Sequence, residues 1–183
     1  MHKSFGSRPP LQHQNPRLQR IGREEEAIVD QLLGRLTNYS LRVHGVPKMK
    51  DGARQLLTAT PPNFSQETKH VFMVMLGSEP VGLVDVVDGF PNPGVAFVGL
   101  LAIAEDQHGL GLGRATLRLV EAFARSTLSA FKLGLAVVDT NPVTGFWHKM
   151  GFKETGEVRP CKVGALTANA ILMEKIIDKS QQR

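Results

Sequence analysis

The chain of 183 residues has one cysteine, one tyrosine, one tryptophan and no long apolar run. Cys161 by itself cannot form a disulfide within the chain. No window approaches the roughly 18 uninterrupted apolar residues that a membrane-spanning helix needs. The first residues are polar, contain Pro9, Pro10 and Pro16, and lack the apolar segment of a signal peptide. These absences predict a cytoplasmic protein that has no membrane partner.

Acidic residues are absent from the first 22 positions, which carry four basic residues. The whole chain has a net charge of +5, so these four basic residues leave a net charge of only +1 for the rest of the chain. A domain that binds nucleic acid normally carries a basic stripe on its folded surface. We therefore expect a disordered basic tail over residues 1–16, one domain over residues 17–179 and no specific nucleic-acid partner.

Apolar patterning predicts strands and helices in layers. A strand over 17–21 precedes a helix whose first turn holds Glu24, Glu25 and Glu26, where carboxylates favour the positive end of the helix dipole. A second short helix is predicted within 49–59. The runs VFMVML and VGLVDVV, separated by GSEP, are typical of a hairpin. The run VAFVGLLAIA lacks polar alternation, which indicates a central strand that is covered on both faces.

The sequence of the C-terminal half predicts helices and strands in alternation. An amphipathic helix follows the glycines at 109–113, and its polar stripe consists of Arg114, Arg118, Glu121 and Arg125. A strand over 132–138, a short helix over 142–150 and a last strand over 167–177 come after it. Asn141 is expected to cap the short helix, and Gly151 is expected to end it before Phe152 starts a strand. The order predicts an α/β or α+β fold with a mixed sheet.

Three glycines alternate in QHGLGLGRATL, just where this helix begins. Glycine in a helix costs about 1 kcal/mol relative to alanine, so Gly109, Gly111 and Gly113 need a reason. Amide groups of a first helical turn bind anions, and glycine lets the anion reach the backbone. A mononucleotide loop is excluded because the chain has no Gly-Lys pair. A dinucleotide fingerprint is excluded because Arg114 or Thr116 stands at its third glycine.

The stretch resembles the GCN5-related N-acetyltransferases (GNAT), in which a central strand leads to Gln/Arg-x-x-Gly-x-Gly/Ala and the next helix holds the pyrophosphate of acetyl-CoA. Gly111-Leu112-Gly113 matches the final Gly-x-Gly, and His108 replaces the usual Gln or Arg. The later stretch NPVTGFWHKMGF is similar to the family's Asn-x-x-Ala-x-x-Phe-Tyr/Trp-x-Lys-x-Gly-Phe. It departs from that pattern at Asn141, which lies one residue closer to Phe146 than usual. The resemblance covers about residues 17–177.

The resemblance implies a mixed, mostly antiparallel sheet flanked by helices, with splayed central strands that hold the cofactor. It implies acetyl-CoA as acyl donor and no metal. Backbone amides of the central strand would stabilise the oxyanion. The residues expected to bind the cofactor are Leu101, Ala102, Ile103, His108, Gly109, Leu110, Gly111, Leu112, Gly113, Arg114, Asn141 and Trp147.

Asp85 is the candidate catalytic base. It alternates with Leu83 and Val87, so it shares a strand face with apolar residues, where an unpaired carboxylate is costly. An active-site role explains this placement, and so does a strand-end position from which Asp85 reaches solvent or a backbone amide. The sequence leaves both interpretations of Asp85 open.

The proton donor is not identified. Many relatives use a tyrosine at the position of Trp147, and Tyr39 is far away in sequence. His148 lies about 100° from Trp147 around the helix, and Cys161 is expected to pack.

The acceptor is expected to be a small amine. A protein N-terminus or lysine, and a catalytically weak acyl-CoA-binding module, remain as alternatives. A homodimer also stays open.

Overall fold

Seven strands form one mixed sheet in the computed structural model, which describes residues 15–178. The strands are β1 (Arg17–Ile21), β2 (Lys69–Leu76), β3 (Glu79–Asp88), β4 (Val95–Ile103), β5 (Lys132–Val138), β6 (Lys153–Val163) and β7 (Leu166–Ile176). Their order is β1-β2-β3-β4-β5-β7-β6. Among the strands of residues 15–178, β4 and β5 alone pair in parallel. This confirms the predicted single-domain fold with a mixed, mostly antiparallel sheet. The predicted tail falls outside the described residues, apart from positions 15 and 16.

Helices cover both faces of the sheet. They are α1 (Glu26–Gly34), α2 (Thr37–His44), α3 (Gly52–Thr58), α4 (Leu112–Ser126) and α5 (Thr144–Lys149), with short 3-10 turns at Arg23–Glu25, Gln66–Thr68 and Glu105–Gln107. One apolar cluster joins α4 to one face, and a second joins α1 and α3 to the other. Leu83, Leu100 and Ala102 belong to the second cluster. The central strand β4 is therefore covered on both sides, as its apolar run predicts.

The parallel strands β4 and β5 separate halfway along β4. Their register pairs only Val95 to Val98 with Lys132 to Leu135. The pairing of β4 with β3 shifts at the same place, where Asp85 faces Leu100 and Val86 faces Val98, so Gly99 is the extra residue of a β-bulge. Beyond Gly99, β4 keeps β3 as its only strand partner in the described part of the chain. The divergence opens a cleft along the edge of β4.

Two local expectations differ from the structure. Helix α2 was not predicted, since its sequence TNYSLRVH has few strong helix formers and only a short apolar pattern. The short helix begins at Thr144 rather than at residue 142, and Asn141 does not cap it. The amide of Val143 donates to the carbonyl of Asn141 at 2.7 Å, which forms a tight turn in front of the helix. This turn leaves the Asn141 side chain available for the cleft.

Candidate functional site

The glycine turn between β4 and α4 requires glycine at two positions. Gly109 has φ +82° and Gly111 has φ +73°, a left-handed conformation that side chains with a Cβ rarely adopt. Gly113 lies inside the helix, and a Cβ there would come within 3.5 Å of the Phe146 ring. The first two glycines shape the turn, whereas a Cβ at the third would make only an ordinary contact with α5.

The turn presents backbone amides to open space. Gly111 is the N-cap of α4, so the amides of Leu112, Gly113 and Arg114 have no acceptor inside the helix. A Cβ built on Gly109 or Gly111 meets no atom of the described residues within 4 Å. Free amides, the positive end of a helix dipole and open space together fit a phosphate group.

His108 fixes this turn to the end of β4. Its Nε2 lies 2.8 Å from the carbonyl oxygen of Ile103, so the ring can donate a hydrogen bond to that acceptor. Leu110, by contrast, is half exposed at the tip of the turn. The imidazole thus has a structural role at the position where the family usually has Gln or Arg.

Basic side chains form a groove between α4 and α5. Arg114, Arg118 and Lys149 line it together with Lys175 and Glu121. Lys175 Nζ is 2.6 Å from Glu121 Oε1 and 2.7 Å from the Met150 carbonyl oxygen, so this pair is internally neutralised. Within residues 15–178, the other three cations form no salt bridge. The groove therefore adds positive potential beside the glycine turn.

A first cavity, which we term the strand cleft, follows the exposed edge of β4. Its volume is about 390 Å³. It brings together five of the residues predicted to bind a cofactor, Leu101, Ala102, Ile103, His108 and Asn141. It is also lined by Leu36, Asn38, Tyr39, Arg42, Glu105, Val143 and Phe146. The cleft connects the free edge of β4 with the glycine turn through His108.

Trp147 does not line the strand cleft. It is 7% exposed in the apolar core, where its ring packs edge-on against Phe146 at 5.0 Å and Phe152 at 5.1 Å between centroids. Its neighbour Phe146 provides the aromatic surface of the cleft instead. Trp147 therefore supports the strand cleft indirectly, by packing against Phe146.

A second cavity, which we term the helix cavity, lies between α1, α2, α3 and the bulge of β4. Its volume is about 190 Å³. It is lined by Leu33, Leu36, Tyr39, Ser40, His44, Lys48, Met49, Gly52, Gln55, Leu56, Gly99 and Leu100. Leu36 and Tyr39 line both cavities. Tyr39 therefore stands at the junction of the strand cleft and the helix cavity.

Asp85 is neither unpaired nor at the surface. Its Oδ2 lies 2.8 Å from Lys69 Nζ, and the two residues are 8% and 6% exposed. Burial raises the pKa of the Asp85 carboxyl, and the attraction of Lys69 opposes this effect. No backbone amide satisfies the carboxylate: its other oxygen is buried and has no hydrogen-bond partner within the described residues.

Gly99 separates Asp85 from the helix cavity. A Cβ on Gly99 would lie 2.8 Å from Asp85 Oδ2, which is closer than real contacts allow. Gly99 itself lines the helix cavity. The carboxylate therefore lies just beneath the floor of the helix cavity, at the one position of β4 where no side chain intervenes.

Tyr39 is the functional candidate that sequence reasoning missed. Its hydroxyl has a pKa raised to about 12, first by burial and then by the negative charge of Asp85. Its ring also meets the ring of His44 edge-on, at 6.0 Å between centroids. Tyr39 is the only tyrosine of the chain, and that rarity was the only signal, since the helix that carries it was not predicted.

Two other residues considered from the sequence lie away from both cavities. The His148 imidazole is half exposed and lies 3.4 Å from Glu154. Cys161 is a partly buried free cysteine in β6. Within residues 15–178, no three His, Cys, Asp or Glu side chains are grouped so that they could hold a metal ion. No helix in that part of the chain has the length and apolar character of a membrane span.

Comparison with known proteins gives concordant results. A sequence profile of the acetyltransferase (GNAT) family matches residues 37–152. No curated protein matches the chain. Among solved structures, an acetyltransferase from Thermus thermophilus is 28% identical with a TM-score of 0.64, over 86% of this chain and 96% of that one. The spermidine N-acetyltransferase of Vibrio cholerae, solved with CoA and spermine, is 17% identical with a TM-score of 0.69, over 88% and 95%. A putative GNAT acetyltransferase from Desulfovibrio desulfuricans is 18% identical with a TM-score of 0.65, over 89% and 99%.

Proposed function

Because this chain belongs to the acetyltransferase (GNAT) family and is thus an acyltransferase, we propose that it transfers an acetyl group from acetyl-CoA to the primary amine of a small molecule. The observation that supports this best is the position of Tyr39, which borders both cavities. An acyl donor in the strand cleft and an amine in the helix cavity would meet beside it. The structural neighbours named as spermidine N-acetyltransferases agree with a small amine as acceptor.

The residues of the strand cleft and the glycine turn fit acetyl-CoA. The amides at 108–114 would bind the pyrophosphate, with the cations Arg114, Arg118 and Lys149 beside it. The edge of β4 at 101–103, together with Asn141 and Phe146, would hold the pantetheine arm. Acetyl-CoA would supply an acetyl group activated as a thioester, which the amine attacks with release of a thiol.

The free edge of β4 would provide hydrogen-bond donors. Beyond Val98, β4 no longer pairs with β5, so alternate amides among Leu101, Ala102 and Ile103 point into the cleft instead of to a neighbouring strand. Donors that are fixed in place before reaction stabilise developing negative charge on a carbonyl oxygen. The side chains of these residues serve in packing.

Asp85 and Tyr39 would move the two protons. An alkylamine with a pKa near 10 is almost wholly protonated at neutral pH, so its proton needs an acceptor. Asp85, beneath Gly99, would take it directly or through a water molecule. The Tyr39 hydroxyl, with a pKa of about 12, is protonated at neutral pH and would donate to the departing sulfur. This assignment places the base on the helix-cavity side and the acid at the junction.

An amine panel with acetyl-CoA, followed by thiol release, tests the proposal. The panel includes small primary amines, a peptide with a free N-terminus and a lysine peptide with a blocked N-terminus. We expect turnover with at least one small amine and little with either peptide. Preference for a peptide would support protein acetylation instead. CoA binding by calorimetry without turnover of any amine would indicate an acyl-CoA-binding module.

Location in the cytoplasm and assembly into a homodimer stay predictions from the sequence.

A further inference from the structure

We propose that the helix cavity takes a primary amine carried on a single apolar body of about the size of an aromatic ring, and that it rejects polyamines. This inference rests on the proposed function, because it identifies the helix cavity as the acceptor site. It concerns the lining of the cavity rather than the chemistry of acetyl transfer. Three features carry it: the volume of the cavity, its apolar walls and the distribution of charge around it.

The volume suits one ring with a short side chain. The cavity measures about 190 Å³. An apolar protein cavity of about 150 Å³ binds a benzene molecule, so the helix cavity holds a ring with some space for a two-carbon arm. The volume sets the size of the body, and the discrimination against polyamines rests on the walls and the charges.

The walls are mostly hydrophobic. Leu33 of α1, Leu56 of α3 and Met49 come from three sides, and Leu100 provides the floor beside Gly99. Apolar walls favour an apolar ligand by roughly 25 cal/mol for each Å² of apolar surface removed from water. The polar side chains Ser40 and Gln55 are neutral. A ligand with an apolar body thus gains most from entering this cavity.

The charges around the cavity leave room for one ammonium group. None of the residues that line it is an Asp or Glu. Lys48 at its rim is bound to Asp30 at 2.7 Å. Burial lowers the pKa of His44, so this imidazole is neutral at pH 7. The carboxylate of Asp85 lies beneath Gly99, and Lys69 already balances part of its charge.

These charges orient the acceptor. The amine would lie at the Gly99 end, near Asp85 and Tyr39, and the apolar body would point towards Met49 and Leu56. A second or third ammonium group of a polyamine would then lie among leucine and methionine side chains, in a lining that contains no carboxylate. Burying an unpaired charge is costly, so the cavity discriminates against polyamines.

The test compares 2-phenylethylamine with spermidine as acceptors at the same acetyl-CoA concentration. We expect kcat/KM for 2-phenylethylamine to be higher by about 10-fold or more. A second readout is independent of turnover: calorimetric titration of 2-phenylethylamine into the protein saturated with CoA should show binding, and spermidine should bind much more weakly.

A variant that fills the cavity links these results to the site. A Cβ on Gly52 would lie 3.3 Å from Met49 Cβ and 3.4 Å from Leu33 Cδ1, so Gly52→Leu places its side chain between two walls of the cavity. It should weaken 2-phenylethylamine binding by about 10-fold or more and leave CoA affinity unchanged. Gly34→Leu is the matched control, because Gly34 is also helical, lines neither cavity and has no atom of residues 15–178 within 4 Å of its Cβ position.

The outcomes separate this inference from the proposed function. Turnover of spermidine equal to or above that of 2-phenylethylamine would overturn the inference and leave the acetyltransferase proposal intact. Binding of 2-phenylethylamine that Gly52→Leu abolishes, without any acetylation, would support the cavity assignment and contradict the proposed function. Absence of 2-phenylethylamine binding, or binding that Gly52→Leu does not weaken, would also overturn the inference.

Discussion

At the scale of single residues, Asp85 and Lys69 form the most buried ion pair of the described chain. Burying two charges costs solvation energy that their attraction often does not recover, so such a pair is weak evidence for stability. Its position beneath Gly99 and next to the helix cavity offers a functional reason for it. Burial raises the pKa of Asp85, which is the direction that a proton-accepting carboxylate needs.

Replacing Asp85 with asparagine tests this role. Asp85→Asn keeps the shape, removes the base and leaves Lys69 without its counterion, and we expect turnover near neutral pH to fall by about 10²-fold or more in protein that circular dichroism shows to be folded. Coenzyme A affinity should stay almost intact, because Asp85 lies on the helix-cavity side. Part of the loss should return at high pH, where the amine deprotonates without help. Wild-type turnover at pH 7 would make Asp85 structural, and a parallel loss of CoA affinity would do the same.

The pH dependence of the wild-type enzyme follows from the same group. Asp85 must be ionised to accept a proton. We therefore expect kcat/KM to reach its full value above the pKa of Asp85 and to decline as the pH falls through that pKa. Because burial raises this pKa above its usual value of 3.8, the acid limb should lie at a higher pH than that of an ordinary carboxylate. A pH profile that keeps the same acid limb in Asp85→Asn would show that another group titrates.

Tyr39→Phe tests the proton donor. The phenylalanine keeps the ring and its edge-on contact with His44 and removes only the hydroxyl. We expect kcat to fall by about 10²-fold, within the usual range for loss of a general acid, with an unchanged affinity for CoA. Steady-state kinetics and calorimetry on the same preparation measure both quantities. If kcat is unaffected, the sulfur takes its proton from water.

At the scale of elements, the bulge in β4 determines which residues meet. The extra residue Gly99 coincides with the end of β4–β5 pairing, so one irregularity brings Asp85 under the helix cavity where the free edge of β4 begins. Bulges often redirect side chains beside active sites. Here the bulge also needs glycine, because a Cβ would collide with the carboxylate.

Gly99→Ala should therefore disturb the base without closing the strand cleft. The added Cβ, 2.8 Å from Asp85 Oδ2 in the present geometry, forces the carboxylate or the bulge to shift. We expect turnover to fall by about 10-fold or more, since small displacements of catalytic groups are costly. Gly134→Ala in β5 is the control, because its Cβ also crowds neighbouring side chains, at 3.2 Å from Phe97 and 3.4 Å from Val95, but does not touch Asp85. Turnover that falls equally in both variants would indicate general destabilisation.

The elements differ in how well the sequence predicts them. β4 and α4 follow from a continuous apolar run and from a strong amphipathic stripe, and strand β5 matches its predicted bounds at 132 and 138. Helix α2 is eight residues long and held by tertiary packing, so its local sequence carries little signal. The start of α5 was misplaced because a backbone turn at Asn141 takes the place of a side-chain cap.

At the scale of the whole molecule, the site depends on contacts between distant parts of the chain. The glycine turn could be predicted because its residues are contiguous. The pairing of Asp85 with Lys69 depends on the register of β2 and β3, and the approach of Tyr39 depends on how α2 packs beside β4. Periodicity and motif spacing do not encode such distances, and for this reason the proton donor could not be assigned from the sequence.

The central claim is that the glycine turn binds the phosphates of coenzyme A, and calorimetric titration of CoA into Gly111→Val tests it most directly. Gly156→Val is the matched control: Gly156 in β6 has φ +85°, near the +73° of Gly111, and both Cβ positions have open space within 4 Å. Both variants carry similar backbone strain. We predict that Gly111→Val lowers CoA affinity by about 10-fold or more, and that Gly156→Val binds as the wild type does. Equal affinity of Gly111→Val and the wild type would contradict the account.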